Sequence, residues 1–346
     1  MSIGRHHPGR GLPRSSRKRR RGMRRVRFAF QWSMKAVGVN QFGGPEALEV
    51  VDLPDPVVGP GQVRIRVHAA AISPTDTFVR NGARAEAQQA SGPPPYVPGM
   101  DAAGVVEELG EGVDHGLAVG DHVMAIVVPK GSRGAYSEQL VLPAESVARA
   151  PAGATDVEAS TLPMNGLTAR LALDTLGLAA GQTIAVTGAA GAFGGYVVQL
   201  AKADGLTVVA DSSEADEALV TALGADVILR RGDDFAARVR ERLPDGVDGA
   251  ADGALLGERL APAVRDGATI VTVRGYEAES DRGVRFQPVW VRDYARAQAK
   301  LDRLRQQVEE GLITLRVAGT FSMENAPEAH RRLEAGGVRG RLVIEF

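Results

Sequence analysis

Apolar positions change their period once along this chain. From residue 34 to about 150 they fall in short β-branched or alternating runs, such as 35–39 and 63–67, broken by Pro54, Pro56, Gly59, Pro60 and Gly61. Similar runs follow at 104–109, 122–128 and 135–141. Short strands separated by turn signals predict a compact antiparallel β domain. From residue 157 onward, strand-like runs alternate with helical patterns. Strands are expected at 183–187, 207–210, 226–229, 248–251, 269–273 and 284–291, and helices at 193–204, 214–223, 233–243, 254–265 and 293–311. That alternation predicts an α/β fold with a doubly wound parallel sheet. A last run, 340–346, reads as a strand returning to the first domain.

The first 33 residues fit neither pattern. They hold 11 Arg or Lys and no acid, leaving the rest of the 346-residue chain with 30 basic and 42 acidic residues, a net charge of −12. With no apolar face to bury, they read as a basic disordered extension. The acidic body offers nucleic acid no electrostatic footprint. No apolar stretch is long enough to span a bilayer, and we expect a cytoplasmic homodimer acting on a small molecule.

The most specific segment is Thr187-Gly-Ala-Ala-Gly-Ala-Phe-Gly-Gly-Tyr-Val197. A strand enters it and a helical pattern leaves it. Gly188, Gly191 and Gly194 permit a tight turn and close backbone approach to phosphates, and the next helix offers unpaired N–H groups and the positive end of its dipole. The strand, glycine turn and helix predict a dinucleotide site built on Gly188, Ala189, Ala190, Gly191, Ala192, Phe193 and Gly194. Asp211 follows Gly191 by twenty residues, at the end of the next strand, with Ser212 and Ser213 after it. An acid there can hold the ribose hydroxyls of NADH and repel the extra phosphate of NADPH.

Several chemistries are excluded. The chain has no cysteine, which removes thiol catalysis, disulfides and cysteine-ligated zinc, and its six histidines show no paired metal spacing. No tyrosine is followed four residues later by lysine, and there is no Gly-x-Ser-x-Gly or Gly-Lys-Ser/Thr motif. Hydride transfer from a reduced nicotinamide remains. We find no dedicated acid for the proton that alkene reduction needs.

The stretches 34–37, 73–82 (Ser-Pro-Thr-Asp-Thr-Phe-Val-Arg-Asn-Gly), 98–106 (Pro-Gly-Met-Asp-Ala-Ala-Gly-Val-Val), 119–123 and 162–169, together with the glycine turn, resemble the medium-chain dehydrogenase/reductase superfamily. The resemblance is to its zinc-free quinone oxidoreductase, or zeta-crystallin-like, branch. It implies a GroES-like β domain formed from both chain ends (34–160 and 312–346) and a Rossmann domain between them (161–311). Ala192-Phe193 departs from the family's usual Gly-Val. Where zinc-dependent relatives place a Cys ligand this chain has Ser73, and Met100-Asp101 replaces their His-Glu.

By the same resemblance, Ser73 lies near the nicotinamide carboxamide, Phe78 takes a position often held by a quinone-lining Tyr, and Asn165 and Thr168 pass beside the nicotinamide. Two of them have a plainer role open: Phe78 as core and Thr168 as helix packing. Ser73-Pro74-Thr75-Asp76 is a capping-box pattern, and Asp76 can pair with Arg80 one turn on. The family favours NADPH whereas Asp211 favours NADH, so the cofactor is expected to be NADPH or NADH. The expected activity is zinc-independent hydride transfer to a quinone or similar carbonyl acceptor. The alternatives are reduction of α,β-unsaturated carbonyls, or nucleotide binding without catalysis on the same fold. Deleting residues 1–33 should leave chemical denaturation and turnover nearly unchanged, whereas a loss of several kcal/mol would make them part of the fold.

Overall fold

The computed structural model describes residues 33–114 and 116–346. The extension expected at 1–32 lies outside the described residues, and Ser33, assigned to it by sequence, opens the first strand.

The chain begins with an antiparallel pair, β1 (Ser33–Val39) and β2 (Leu48–Pro54). A mixed sheet follows, built from β3 (Gln62–Ala71), β4 (Asp101–Leu109), β5 (His122–Ile126), β6 (Gln139–Pro143) and β7 (Val147–Arg149). Between β3 and β4 lie two short helices, α1 (Asp76–Arg80) and α2 (Ala85–Gln89). After β7 come α3 (Asp156–Ala159), started by a Thr155–Glu158 capping box, and α4 (Pro163–Leu176). Proline at the first position of α4 lacks only an N–H with no acceptor there, and Gly177 ends the helix at φ 60°.

The second sheet is made of β8 (Thr183–Thr187), β9 (Thr207–Ser212), β10 (Val227–Arg230), β11 (Val247–Asp252), β12 (Val264–Thr272), β13 (Ala278–Glu279) and β14 (Arg285–Pro288). Its order is β10-β9-β8-β11-β12-β14-β13, parallel throughout except for β13. Sequence order reverses between β8 and β11, the crevice where doubly wound sheets bind ligands. The helices are α5 (Ala192–Ala203), α6 (Glu217–Ala222), α7 (Phe235–Arg242) and α8 (Gln298–Glu309).

Two expected helices change. In place of a helix at 254–265 there is a 3-10 segment, Gly257–Ala263, followed directly by β12. Leu255 and Gly257 take left-handed φ values of 60° and 58°, and Pro262 can donate no hydrogen bond, so an α-helix cannot propagate. The helix expected at 293–311 starts only at Gln298, after a separate 3-10 turn at Val291–Tyr294. The run expected as a strand at 135–141 pairs as one only from Gln139.

The chain end is β15 (Val317–Ser322), α9 (Ala326–Glu334) and β16 (Arg341–Glu345). β16 is antiparallel to β3 and parallel to β15, so the last strand lies inside the first sheet, as the GroES-like reading expects. One apolar core fills that sheet around Val63, Ile65 and Ile344. A second joins α4 and α5 to β8 and β9 and takes in Met124 and Ile126 from the first sheet.

One charged residue of β16 is fully inside. The Arg341 side chain is 4% exposed and pairs at 2.7 Å with Asp101, which is 0% exposed. Removing either partner leaves a buried charge uncompensated, worth about 3–5 kcal/mol. Arg341→Ala should lower urea stability by that amount. An unchanged midpoint would show that the pair does not bind the chain end to the domain.

Candidate active site

The glycine turn has the predicted geometry. Gly188 sits at φ 68°, and Gly191 forms the N-cap of α5. A Cβ on Gly194 would lie 2.3 Å from the Gly188 carbonyl oxygen, so only glycine lets the helix approach the turn. At Gly191 an added Cβ would press on the same oxygen at 3.1 Å, with no other atom within 4 Å of it. The first N–H groups of α5, on Ala192, Phe193 and Gly194, have no acceptor inside the helix. Backbone donors around an open cradle fit a pyrophosphate.

Arg316, which sequence patterning did not single out, braces this turn from below. Its guanidinium donates to the Ala190 carbonyl at 3.0 Å and the Gly191 carbonyl at 2.7 Å. Burial lowers its pKa from the ordinary value. A Cβ on Gly195 would come within 2.3 Å of the guanidinium, which explains a second glycine inside the helix.

Asp211, next to last in β9, has both carboxylate oxygens occupied. One accepts the Ala189 N–H at 2.9 Å and the other the Arg231 Nε–H at 3.1 Å. Beside it, the Ser213 hydroxyl donates to Asp216 at 2.6 Å, and Arg339 grips Asp216 through two nitrogens at 2.5 and 2.8 Å. Chiefly through that hydrogen-bonded Arg339, Asp216 is lowered to a pKa of about 2. Two arginines distant in sequence therefore flank Ser212 and Ser213.

Next to the turn lies a cavity of about 330 Å³ whose walls include Asp76, Phe78, Asn165, Thr168, Phe193 and Trp290. Four of the expected residues, Phe78, Asn165, Thr168 and Phe193, thus share one cleft. Thr168 also serves its helix, donating to the Met164 carbonyl at 2.6 Å. Ser73 is fully buried behind this wall, its hydroxyl 2.8 Å from Arg341. Arg341 also donates to the Ile72 and Thr161 carbonyls, while the Met164 N–H donates to Asp101 at 2.5 Å. Burial raises the pKa of Asp101, and Arg341 opposes that rise.

The capping box forms by half: Asp76 accepts the Ser73 N–H at 2.7 Å, but the Ser73 hydroxyl caps nothing and meets Arg341. The expected Asp76–Arg80 pair is absent. Arg80 instead meets Glu334 at 2.6 Å, because the chain end brings α9 against α1. Asp76 also accepts the Gly99 N–H at 3.1 Å and the Tyr136 hydroxyl at 2.9 Å. Burial raises it to about 6, against the pull of these donors. The Tyr136 oxygen lies 3.1 Å from His330 Nε2, and His330 Nδ1 lies 3.3 Å from Arg80. The arginine can only donate and the tyrosine proton goes to Asp76, so His330 is neutral with its proton on Nε2.

Two histidines unrelated by spacing also meet. His68 and His122 sit on strands flanking β4, and their Nδ1 atoms bind one carboxylate, Asp156, at 2.6 and 3.0 Å. Among the described residues no group of three His, Cys, Asp or Glu has metal-binding geometry.

The sequence carried a faint signal for some of what patterning missed: Arg341 interrupts an apolar strand, and Gly195 doubles a glycine inside a helix. Nothing local marks Arg316, Arg339 or His330, whose partners lie more than a hundred residues away.

Similarity to known proteins follows this geometry. A family model described as an alcohol dehydrogenase GroES-like domain matches residues 59–152, and one described as a zinc-binding dehydrogenase matches 223–344. The chain is 32% identical over 324 residues to the 2-methylene-furan-3-one reductase of Solanum lycopersicum, covering 90% of this chain and 79% of that protein. The quinone oxidoreductase of Coxiella burnetii superposes with a TM-score of 0.79 at 28% identity, over 91% of this chain and 100% of that one. A mycobacterial protein solved with NADPH gives 0.78 at 29% identity, over 91% and 100%.

His330 yields a pH prediction. Burial, reinforced by the Arg80 charge, depresses its pKa from 6.5 to about 3. The unfolded chain takes up this proton below 6.5 while the folded protein refuses it. Its contribution is therefore full above pH 6.5 and is lost as pH falls toward 3, by up to about 1.4 kcal/mol per pH unit. Compared with His330→Gln in denaturant titrations, wild type should lose stability progressively between pH 6.5 and 4. A constant difference across that range would mean that folded His330 protonates freely.

Proposed function

The chain belongs to the medium-chain dehydrogenase/reductase superfamily, in its quinone oxidoreductase branch, and on that footing we propose that it reduces quinones and α,β-unsaturated carbonyls with NADPH and without zinc. One observation carries the reading: Phe193 belongs both to the glycine turn and to the wall of the apolar cleft. The cradle for a pyrophosphate therefore opens directly beside a cavity suited to a flat, apolar acceptor.

When bound, the cofactor supplies a hydride from its reduced nicotinamide. This chain's residues do the rest. Turn N–H groups, with Arg316 beneath them, hold the diphosphate. Asn165 and Thr168 border the nicotinamide end, while Phe78, Phe193 and Trp290 exclude water from the acceptor. Asp76 lies at the inner wall and, held from behind by the buried Tyr136 hydroxyl, fixes the start of α1 beside the acceptor.

The preference for NADPH rests on Arg231 and Arg339. Asp211 faces the turn backbone and Arg231, and Asp216 is neutralised by Arg339. The negative charge that favoured NADH is thereby compensated, and two half-exposed guanidinium groups remain for a 2′-phosphate. The zinc reading rests on donors. The chain has no cysteine, and Ser73 and Asp101, which stand at the expected ligand positions, are both held by Arg341. A second cation has no ligand set there. The expected homodimer and cytoplasmic location belong to the same proposal; among the described residues no helix is long and apolar enough to cross a membrane.

Stopped-flow oxidation of NADPH and NADH against a panel of quinones and enones tests this directly. Wild type should prefer NADPH, and Arg339→Ala should cut that preference at least tenfold, about 1.4 kcal/mol. Gly191→Asp should abolish cofactor binding, since it sets a carboxylate over the turn's N–H groups. A wild-type preference for NADH would overturn the cofactor assignment, and one tightly held zinc per chain would overturn the zinc-free reading.

A further inference from the structure

Three arginines line the acceptor cleft and have no carboxylate partner among the described residues: Arg84, Arg274 and Arg292. Two are held by aromatic walls of the same cavity. The Arg84 guanidinium lies 5.7 Å from the Phe78 ring centroid, and that of Arg292 lies 5.2 Å from Trp290. Such stacking positions a guanidinium without using its donors. Arg274 is placed by the backbone. It has φ 67°, rare for a residue with a side chain, and Gly275 follows at 85°. The turn is closed by the Thr272 hydroxyl on the Tyr276 carbonyl at 2.5 Å. Glycine or asparagine would adopt this turn at lower cost, so an arginine here points to a use for its charge.

Against these three cations the cleft lining has one acid, Asp76, which is 1% exposed and saturated by three donors. The rim is therefore strongly positive on a body that is acidic overall, while the walls are apolar. Neutral quinones and enones need no such rim.

We propose that the physiological acceptor carries an anionic group, a carboxylate, sulfonate or phosphate, which Arg84, Arg274 and Arg292 bind while its electrophilic double bond lies against Phe78 and Trp290. This deepens the reductase reading and rests on it. In the enone case the reaction balances simply. A hydride, with its two electrons, passes from the reduced nicotinamide to the β carbon, and the enolate formed takes a proton from solvent at the α carbon. The products are the saturated carbonyl and oxidised NADP, and the anionic group is unchanged.

The test pairs each anionic acceptor with a neutral counterpart: (E)-4-oxopent-2-enoate with its methyl ester, and 1,4-naphthoquinone-2-sulfonate with 1,4-naphthoquinone. Crotonyl-CoA supplies the phosphate arm and separates a free acid from a phosphate-bearing thioester. For wild type, kcat/KM for the carboxylate should exceed that for the ester at least tenfold, and the ratio should shrink with salt. Arg84→Ala, Arg292→Ala and Arg274→Gly should each lower the anionic substrate's kcat/KM about tenfold while changing the ester's less than twofold. Arg274→Gly relieves the backbone, so a failure to fold does not confound it. Equal loss on both members of a pair, through a raised KM for NADPH, would assign the arginines to the cofactor and overturn the proposal. If no acceptor is turned over, the reductase reading fails, and quenching of Trp290 fluorescence in a Trp32→Phe background still decides the inference. Tenfold tighter binding of the carboxylate than of the ester to the NADP complex supports it, and equal binding refutes it.

Discussion

The buried pair between Arg341 and Asp101 is the constraint on which the rest depends. A guanidinium with 4% exposure has all three of its nitrogens engaged: by Asp101, by the Ser73 hydroxyl, and by the carbonyls of Ile72 and Thr161. Asp101 in turn fixes the Met164 N–H at the start of α4. One ion pair therefore ties together β16, the end of β3, β4 and the helix that lines the cleft. Its Coulombic gain is offset by desolvation, so its main effect is to fix geometry rather than to add net stability. Only one arrangement of these segments satisfies all the polar groups at once.

The same logic repeats along the chain end. Arg316 holds the glycine turn, Arg339 neutralises Asp216 beside β9, and His330 with Glu334 completes the chain that runs through Arg80 and Tyr136 to Asp76. Residues 312–346 contribute little to the cleft walls themselves. Their role is to position the loops that do, and a site assembled from the middle of the chain is cross-linked by its last segment.

Electrostatic balance separates two regions of the site. Around β9, Asp211 and Asp216 each have an arginine partner, so the two carboxylates nearest Ser212 and Ser213 are compensated. At the acceptor rim three arginines have no carboxylate partner among the described residues. Pairing lowers the field where a phosphate-bearing cofactor must be held in one register. Unpaired cations raise it where a ligand must be drawn in and oriented.

The sequence by itself determined the fold class and the glycine turn. Period-2 and period-3.6 patterns, and a strand–glycine–helix junction, are local properties that need no distant partner. Phe78, Asn165 and Thr168 were legible through short motifs, and the cleft gathers them with Phe193. The helix expected at 254–265 failed because positive φ at Leu255 and Gly257 outweighed an apolar pattern. Tertiary structure alone decided the charge partners. Asp211 looked free to bind ribose until Arg231 and the Ala189 N–H were placed against it, and Asp76 looked paired to Arg80 until Glu334 arrived from α9. An ion pair depends on distance through space: sheet pairing sets Arg231 beside Asp211, and the returning chain end carries Glu334 to Arg80, so no spacing along the sequence named those partners.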